Sequence, residues 1–138
     1  LENQHTLYAN GRPIYNIPNK YYAELFAHSI MVHYSDAKRV LVLGGGFNGV
    51  LRELLKYPVQ EVEYIEIDPA LLPFVEPVMN IQDQQALNDS RVHIVFMDGR
   101  ELLHRKMSSF DVILMNVGGI NSSNIYLEKY SAEIPVVV

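Results

Sequence analysis

The stretch Arg39-Val-Leu-Val-Leu-Gly-Gly-Gly-Phe-Asn-Gly-Val-Leu-Arg-Glu-Leu-Leu55 decides the fold of this chain. Val40 to Leu43 predicts a buried strand, Gly44, Gly46 and Gly49 follow in the pattern GxGxxG with Gly45 inside the same turn, and Asn48 to Tyr57 predicts a helix stopped by Pro58. Strand, glycine turn and helix in that order make room for a nucleotide or nucleoside at one end of an α/β sheet. Gly44 lets the chain turn sharply, Gly46 lacks the Cβ that would hold a ligand off the backbone, and Gly49 lets the helix lie close to the strand. A second apolar run, Val62 to Ile67, carries Glu66. That is about 20 residues beyond the turn, the spacing of a carboxylate that accepts hydrogen bonds from ribose hydroxyls.

Working outward, Thr6 to Ala9 and Arg12 to Tyr15 flank Asn10-Gly11, a pair that favours the positive φ angles of a tight β-hairpin. Lys20 to about Tyr34 predicts a helix against the sheet, from the spacing of Tyr21, Leu25, Ile30 and Met31. Asp68-Pro69 predicts a helix start with a capping carboxylate, and Pro73 and Pro77 predict that the helix from Ala70 to Met79 is kinked or broken into short turns. Val92 to Met97, Glu101 to Met107 and Asp111 to Met115 read as strand, helix and strand, and the last residues, Ile134 to Val138, read as another strand. Strands alternating with helices predict an α/β fold, a doubly wound and mostly parallel sheet. The expected organisation is an N-terminal β-hairpin over 1–18 and a Rossmann-like nucleoside-binding domain over 19–138.

In such a sheet the residues just after each strand line the ligand site. They are Gly44 to Gly49, Glu66-Ile67-Asp68, Asp98-Gly99 and Asn116-Val117-Gly118-Gly119. Asp98 either bonds an exocyclic adenine amine or begins a turn with Gly99, whereas Asp68 is expected to cap a helix. The histidines suggest no metal site: His28 and His33 fall on different faces of a helix, and no Asp or Glu set completes a ligand cluster. Tyr21 and Tyr22 read as core or interface. No GxSxG or Ser-His-Asp order points to hydrolysis.

With 138 residues, 49% of them hydrophobic, the chain fits one domain with a sizeable core. A formal charge of −5 argues against a nucleic-acid partner, since phosphate binding needs clustered Lys and Arg; the only basic cluster, His104-Arg105-Lys106, is short. Without cysteine there is no disulfide, zinc thiolate or thiol nucleophile, and a cytoplasmic setting is expected. No apolar stretch reaches the roughly 18 residues of a membrane span, and no signal peptide is visible. Because the chain starts Leu1-Glu2-Asn3 without methionine and stops inside a strand-like run, it is expected to be part of a longer protein.

The order and spacing of Val40 to Glu53, Glu66-Ile-Asp68, Asp89-Ser-Arg-Val92, Asp98-Gly99 and Phe110-Asp-Val-Ile113 resemble the spermidine synthase (polyamine aminopropyltransferase) family. Leu7-Tyr-Ala-Asn-Gly11, Tyr22-Ala-Glu-Leu25 and His28 resemble that family's hairpin and first helix, so the likeness runs to about Asn116. The resemblance implies a methyltransferase-like Rossmann domain with no tightly bound cofactor. Decarboxylated S-adenosylmethionine would be the co-substrate, its aminopropyl group passing to a polyamine amine. It also implies that Glu66 holds the ribose, that Asp98-Gly99 lies near the adenine and that two copies pair as a dimer. Three departures stand out. Phe47-Asn48 replaces Asp-Gly of the family's GGGDGG, removing a carboxylate for the aminopropyl ammonium; Asn116-Val-Gly-Gly-Ile120 replaces the Asp-Ser-Ser-Asp-Pro-like segment that carries the catalytic acid; and Asn19-Lys20 replaces an acidic pair. The amide of Asn116 accepts a hydrogen bond but is no base. These departures leave two other readings open, an S-adenosylmethionine-dependent methyltransferase and a non-catalytic nucleoside-binding or interaction domain.

Overall fold

Alternation along β3 (Arg39–Leu43) sends Val40 and Val42 to one face of a sheet and Leu41 and Leu43 to the other, and all four are buried. A strand apolar on both faces belongs in the middle of a covered parallel sheet, and that is its place. In the computed structural model, which describes residues 3–103 and 109–116 together with the backbone of 136–137, β3 is flanked by β4 (Glu61–Glu66) and β6 (Val112–Met115). With β5 (Val92–Phe96) and β7 (Val136–Val137) the order is β5-β4-β3-β6-β7, and every pair is parallel.

Register places Val40 beside Val62 and Val112, and Leu43 beside Ile65 and Met115. Asp111 fixes it where β6 begins: its Oδ2 accepts the backbone N–H groups of Lys38 (2.7 Å) and Arg39 (2.9 Å). Those bonds, from Arg39 and then Lys38, hold its carboxyl below the usual carboxylate range.

Helices cover both faces. On one, α1 (Lys20–Met31), α2 (Val50–Leu54), α3 (Leu71–Val75) and α4 (Ile81–Leu87) share a core with Val42, Tyr64 and Leu114; on the other, Leu102 of α5 (Gly99–Leu103) packs with Leu41, Leu43, Phe110 and Ile113. The doubly wound α/β architecture is therefore as expected. The chain changes faces between β5 and β6, so the switch point lies where β3 and β6 meet, the usual ligand position in such sheets. The hairpin is also as expected: β1 (His5–Ala9) pairs antiparallel with β2 (Arg12–Ile17) around Asn10 (φ 50°) and Gly11 (φ 74°), as a separate two-stranded sheet.

Several local readings change. α1 starts where expected, with the Asn19 side chain accepting from Tyr22 N (3.2 Å), but it buries Ala23, Ala27, Ile30 and Met31 and leaves Tyr21 and Leu25 exposed. Small alanines win the inner face because α1 lies close on the α2 segment: a Cβ on Gly49 would come within 2.9 Å of Ala23 Cβ. Gly49, expected to ease packing on the strand, thus serves contact with α1. The proline-bearing segment does break, into α3 and a 3₁₀ turn at Glu76–Val78, and Asp68 caps the approach through Ala70 N (2.9 Å) while Ala70 itself is the N-cap. α4 is an element the sequence reading lacked. Its signal is Asn80, whose side chain accepts from Asp83 N (2.8 Å) and donates to Asp83 Oδ2 (2.9 Å), an N-cap with an acid three residues on. The helix expected over 101–107 starts at Gly99, and its span after 103 lies outside the described residues, as does His104-Arg105-Lys106. Among the described residues no helix is long and apolar enough to cross a membrane.

Candidate functional site

The parallel ladder gathers the strand ends into one row. Gly44 N donates to Ile65 O (2.9 Å), Asn116 N to Leu43 O (2.8 Å) and Met97 N to Glu66 O (3.1 Å). With strands roughly 4.8 Å apart, Asp98, Glu66, the glycine turn and Asn116 line an edge of about 14 Å. Val117, Gly118 and Gly119, read as part of the same site, lie outside the described residues.

Glu66 is the buried acid of this row, only 4% exposed at the end of β4. The Tyr64 hydroxyl donates to its Oε2 (2.7 Å) and Asp68 N to its Oε1 (3.3 Å). A carboxylate offers about four acceptor positions, so two are used and the rest can serve a ligand's hydroxyls. Tyr64 is fully buried, and burial first, then the Glu66 charge, pushes its phenol well above the ordinary value. It thus stays a proton donor to the acid. Its ring also explains Gly46: an added Cβ would lie 3.1 Å from Tyr64 Cδ2 and 3.3 Å from Leu51 Cγ. The missing side chain at 46 admits a tyrosine ring, where the sequence suggested space for a ligand.

At the other end of the row Asn116 follows β6. Its Oδ1 accepts from the Tyr22 hydroxyl (3.0 Å), and its Nδ2 takes the space that a Cβ on Gly45 would need. Gly45 has φ +63° besides, so this position is fitted to glycine by backbone and by neighbour. The Tyr15 hydroxyl approaches from the hairpin, 3.1 Å from the same Cβ position. Burial and, after it, the Glu66 charge push the Tyr15 phenol up to about 12. Tyr15, Asn16, Asn19, Tyr22, Asn48 and Asn116, with Pro13 and Ile14 on the hairpin side, line a cleft of about 410 Å³. Tyr22, expected in a core or interface, is a wall of this cleft, and Tyr21 is 78% exposed.

The Phe47-Asn48 pair shapes the cleft from behind. Phe47 is 1% exposed, its ring edge-on to Tyr15 at 5.0 Å and 73°. Asn48 is also buried and donates to Asn16 O (2.7 Å). Together they tie the glycine turn to the hairpin.

Asp98 sits after β5 with its carboxylate already engaged: Arg100 Nε lies 2.9 Å from both oxygens, Arg100 N donates to Oδ1 (2.9 Å), and Arg100 Nη2 forms a further bond to Oδ2. The Arg100 side chain, then its backbone N–H, hold Asp98 below the usual carboxylate range. Gly99 opens α5 against Leu43, whose Cδ2 would be 3.2 Å from a Cβ there. Ile67 is 66% exposed beside Glu66, an apolar surface at the same edge.

His28, which the sequence left without a role, belongs to a part-buried polar cluster between α1 and α2, centred on Glu53. Its Nε2 donates to Glu53 Oε2 (2.8 Å), since a carboxylate only accepts, and its Nδ1 lies 2.6 Å from the Tyr57 hydroxyl. Glu53 is fully buried and also takes Lys56 Nζ and Arg52 Nε (3.2 Å). Burial alone would raise its pKa, but bonds from Lys56, His28 and Arg52 outweigh that and lower it. Spacing along one helix could not reveal this cluster, because its members come from two helices and the turn after α2. Among the described residues no group of three His, Asp or Glu side chains is placed to hold a metal.

The model of the spermine/spermidine synthase domain matches residues 19–134. The polyamine aminopropyltransferase of Ruegeria sp. (strain TM1040) is 34% identical over 99 residues, covering 71% of this chain and 35% of the relative. That of Archaeoglobus fulgidus is 36% identical over 96 residues, covering 70% and 35%. Among solved structures, spermidine synthase from Thermotoga maritima superposes with a TM-score of 0.67 at 30% identity, over 78% of this chain and 39% of that one. A spermidine synthase in complex with the transition-state analogue AdoDATO gives 0.67 at 28% identity, over 88% and 41%. The chain thus spans 35% of the length of these two curated relatives.

Proposed function

Since this chain belongs to the spermine/spermidine synthase family, we propose that it binds an adenosyl sulfonium against Glu66 and the glycine turn and transfers an aminopropyl group from decarboxylated S-adenosylmethionine to an amine. The observation that carries this reading is Glu66: a buried carboxylate at the end of β4 that accepts a hydrogen bond from the Tyr64 hydroxyl and retains acceptor capacity for ribose hydroxyls. Ile67 supplies apolar area beside it for the base. Gly44, Gly45, Gly46 and Gly49 shape the turn, and Asp98-Gly99 closes the far end of the row.

The sulfonium is a good leaving group already, so the protein's task is to hold donor carbon and amine nitrogen in line. The amine must also attack without its proton, which elsewhere calls for a positioned base. Asn116 stands where such a base would be and supplies position only. The absence of cysteine goes with a cytoplasmic setting, and pairing of two copies belongs to the same reading.

A second reading keeps the nucleoside site and changes the donor to S-adenosylmethionine, as in a methyltransferase. It is favoured by Phe47, whose burial leaves no carboxylate at that position for an aminopropyl ammonium. Calorimetric titration with decarboxylated S-adenosylmethionine, S-adenosylmethionine and methylthioadenosine separates the two. Tighter binding of the decarboxylated donor is the expected result; preference for S-adenosylmethionine selects the methyltransferase reading, and no binding of any of the three defeats both.

A further inference from the structure

The Glu53 cluster stands one helical turn beyond the glycine turn, where Glu53 N donates to Gly49 O (3.1 Å), and it ties together helices that the sheet does not join. Glu53 Oε2 accepts from His28 Nε2 of α1 (2.8 Å) and from Lys56 Nζ, and Oε1 accepts from Arg52 Nε of α2 (3.2 Å). Arg52 Nη1 reaches on to Asp83 Oδ1 of α4 (3.0 Å). His28 is the α1 member of this set, and neither it nor Glu53 lines the cleft beside Asn116. A buried carboxylate held in this way contributes little net stability, because drying the charge offsets the attraction. Its bonds are all met at one placement of the helices, so the cluster fixes position.

Position matters at the other end of α1. Ala23 packs on the glycine turn so closely that a Cβ on Gly49 would come within 2.9 Å of its own. Beside it, the Tyr22 ring stacks on Phe26, with 5.6 Å between centroids and 11° between planes, and its hydroxyl donates to Asn116 Oδ1 (3.0 Å). The ring therefore turns with the helix. Side-chain tips lie about 5 to 6 Å from a helix axis, so a roll of about 10° moves them by about 1 Å. That is enough to take the 3.0 Å bond to Asn116 beyond hydrogen-bond range.

Resting on the aminopropyl-transfer reading above, in which the donor and the amine meet beside Asn116, we propose that His28 is a positioning residue of the site. Its bond to Glu53 stops α1 from rolling on Ala23, which holds the Tyr22 hydroxyl on Asn116 and sets the width of the opening between α1 and the glycine turn. The nucleoside half does not depend on it, since Glu66 is placed by β4 and by Tyr64.

Nuclear magnetic resonance of the isotope-labelled chain reads this through the side-chain amide signals of Asn116, assigned by their loss in Asn116→Asp. Tyr22→Phe defines how far those signals move when the bond from Tyr22 is gone. His28→Ala is expected to move them in the same direction by at least half as much, with methylthioadenosine affinity kept within twofold. His28→Gln, whose amide again donates to Glu53, is expected to return them toward the wild-type position. Tyr57→Phe leaves the Glu53 bond in place and is expected to move them little. His28→Leu keeps the bulk without the donor and replaces the alanine variant if that one does not fold. Unmoved Asn116 signals in a folded variant lacking the donor, equal movement in His28→Gln, or a tenfold fall in methylthioadenosine affinity in His28→Ala overturns the proposal. Failure of the wild-type chain to bind methylthioadenosine defeats the nucleoside reading instead, and the Asn116 signals still decide the role of His28.

Discussion

Glu66 and Asn116 sit at the ends of β4 and β6, the two strands that flank the glycine turn of β3, and each accepts a hydrogen bond from a tyrosine hydroxyl. The device is the same and the electrostatics are opposite. On the β4 side a buried charge is held by a buried phenol, so the site keeps an acceptor for ligand hydroxyls. On the β6 side an amide held by a half-exposed phenol turns a donor toward the turn. One sheet edge therefore offers a charged half and a neutral half, and each can be perturbed without the other.

The largest expected effect comes from Gly45, which holds the two halves apart. Gly45→Ala meets both a left-handed backbone and the Asn116 amide and should destabilise the fold by about 3 kcal/mol, the sum of backbone strain and overpacking. Gly11→Ala, with φ +74° and nothing within 4 Å, should cost only about 1 kcal/mol. Urea unfolding of both variants isolates the clash; equal losses would mean that Asn116 does not fill that space.

Tyr15 stands between the halves and reports on both. Its phenol is raised from 10 to about 12, so the stability tied to the neutral form is complete below pH 10 and is lost as pH rises toward 12. Thermal melts across that window should show a loss of about 2 kcal/mol, and Tyr15→Phe should flatten it. An alkaline decline that persists unchanged in the variant would assign it elsewhere.

Next in size, Glu66→Ala should weaken methylthioadenosine binding by about 2 kcal/mol through lost hydrogen bonds to a charged group, while amine binding in the cleft moves little. Should both ligands weaken alike, the division into two halves fails. The smallest expected contrast lies in the tyrosines themselves. Removing the buried hydroxyl in Tyr64→Phe should lower stability by about 1 kcal/mol, and Tyr22→Phe by only a few tenths, because the half-exposed partner exchanges its bond with water.

The strands, the hairpin and the row of strand ends were legible because each rests on local chemistry: apolar runs, Asn10-Gly11, and glycine or acid after a strand. Gly46 shows where local reading stops. Its missing side chain signals a close approach, but whether a ligand or Tyr64 makes it depends on a ring eighteen positions later that only the paired sheet brings under the turn. Tyr22 and the inner face of α1 were misjudged for a related cause: Ala23 and Ala27 are poor hydrophobes yet good close-packing residues, so the helix turns its larger Tyr21 and Leu25 outward. α4 is different, since Asn80 and Asp83 announced its start.

Asp111 gives the sheet a phase. It grips Lys38 and Arg39, 72 and more positions away in sequence, at the floor of two strands joined by no short connection. Side chains alternate along a strand, so sliding β6 by one residue would exchange its two apolar faces and carry Asn116 off Gly45. The alignment of the cleft is thus set by a carboxylate at the opposite end of β6, like the zero mark of a ruler. The shape of the cleft can drift through changes at that mark, with every residue that lines it left as it is.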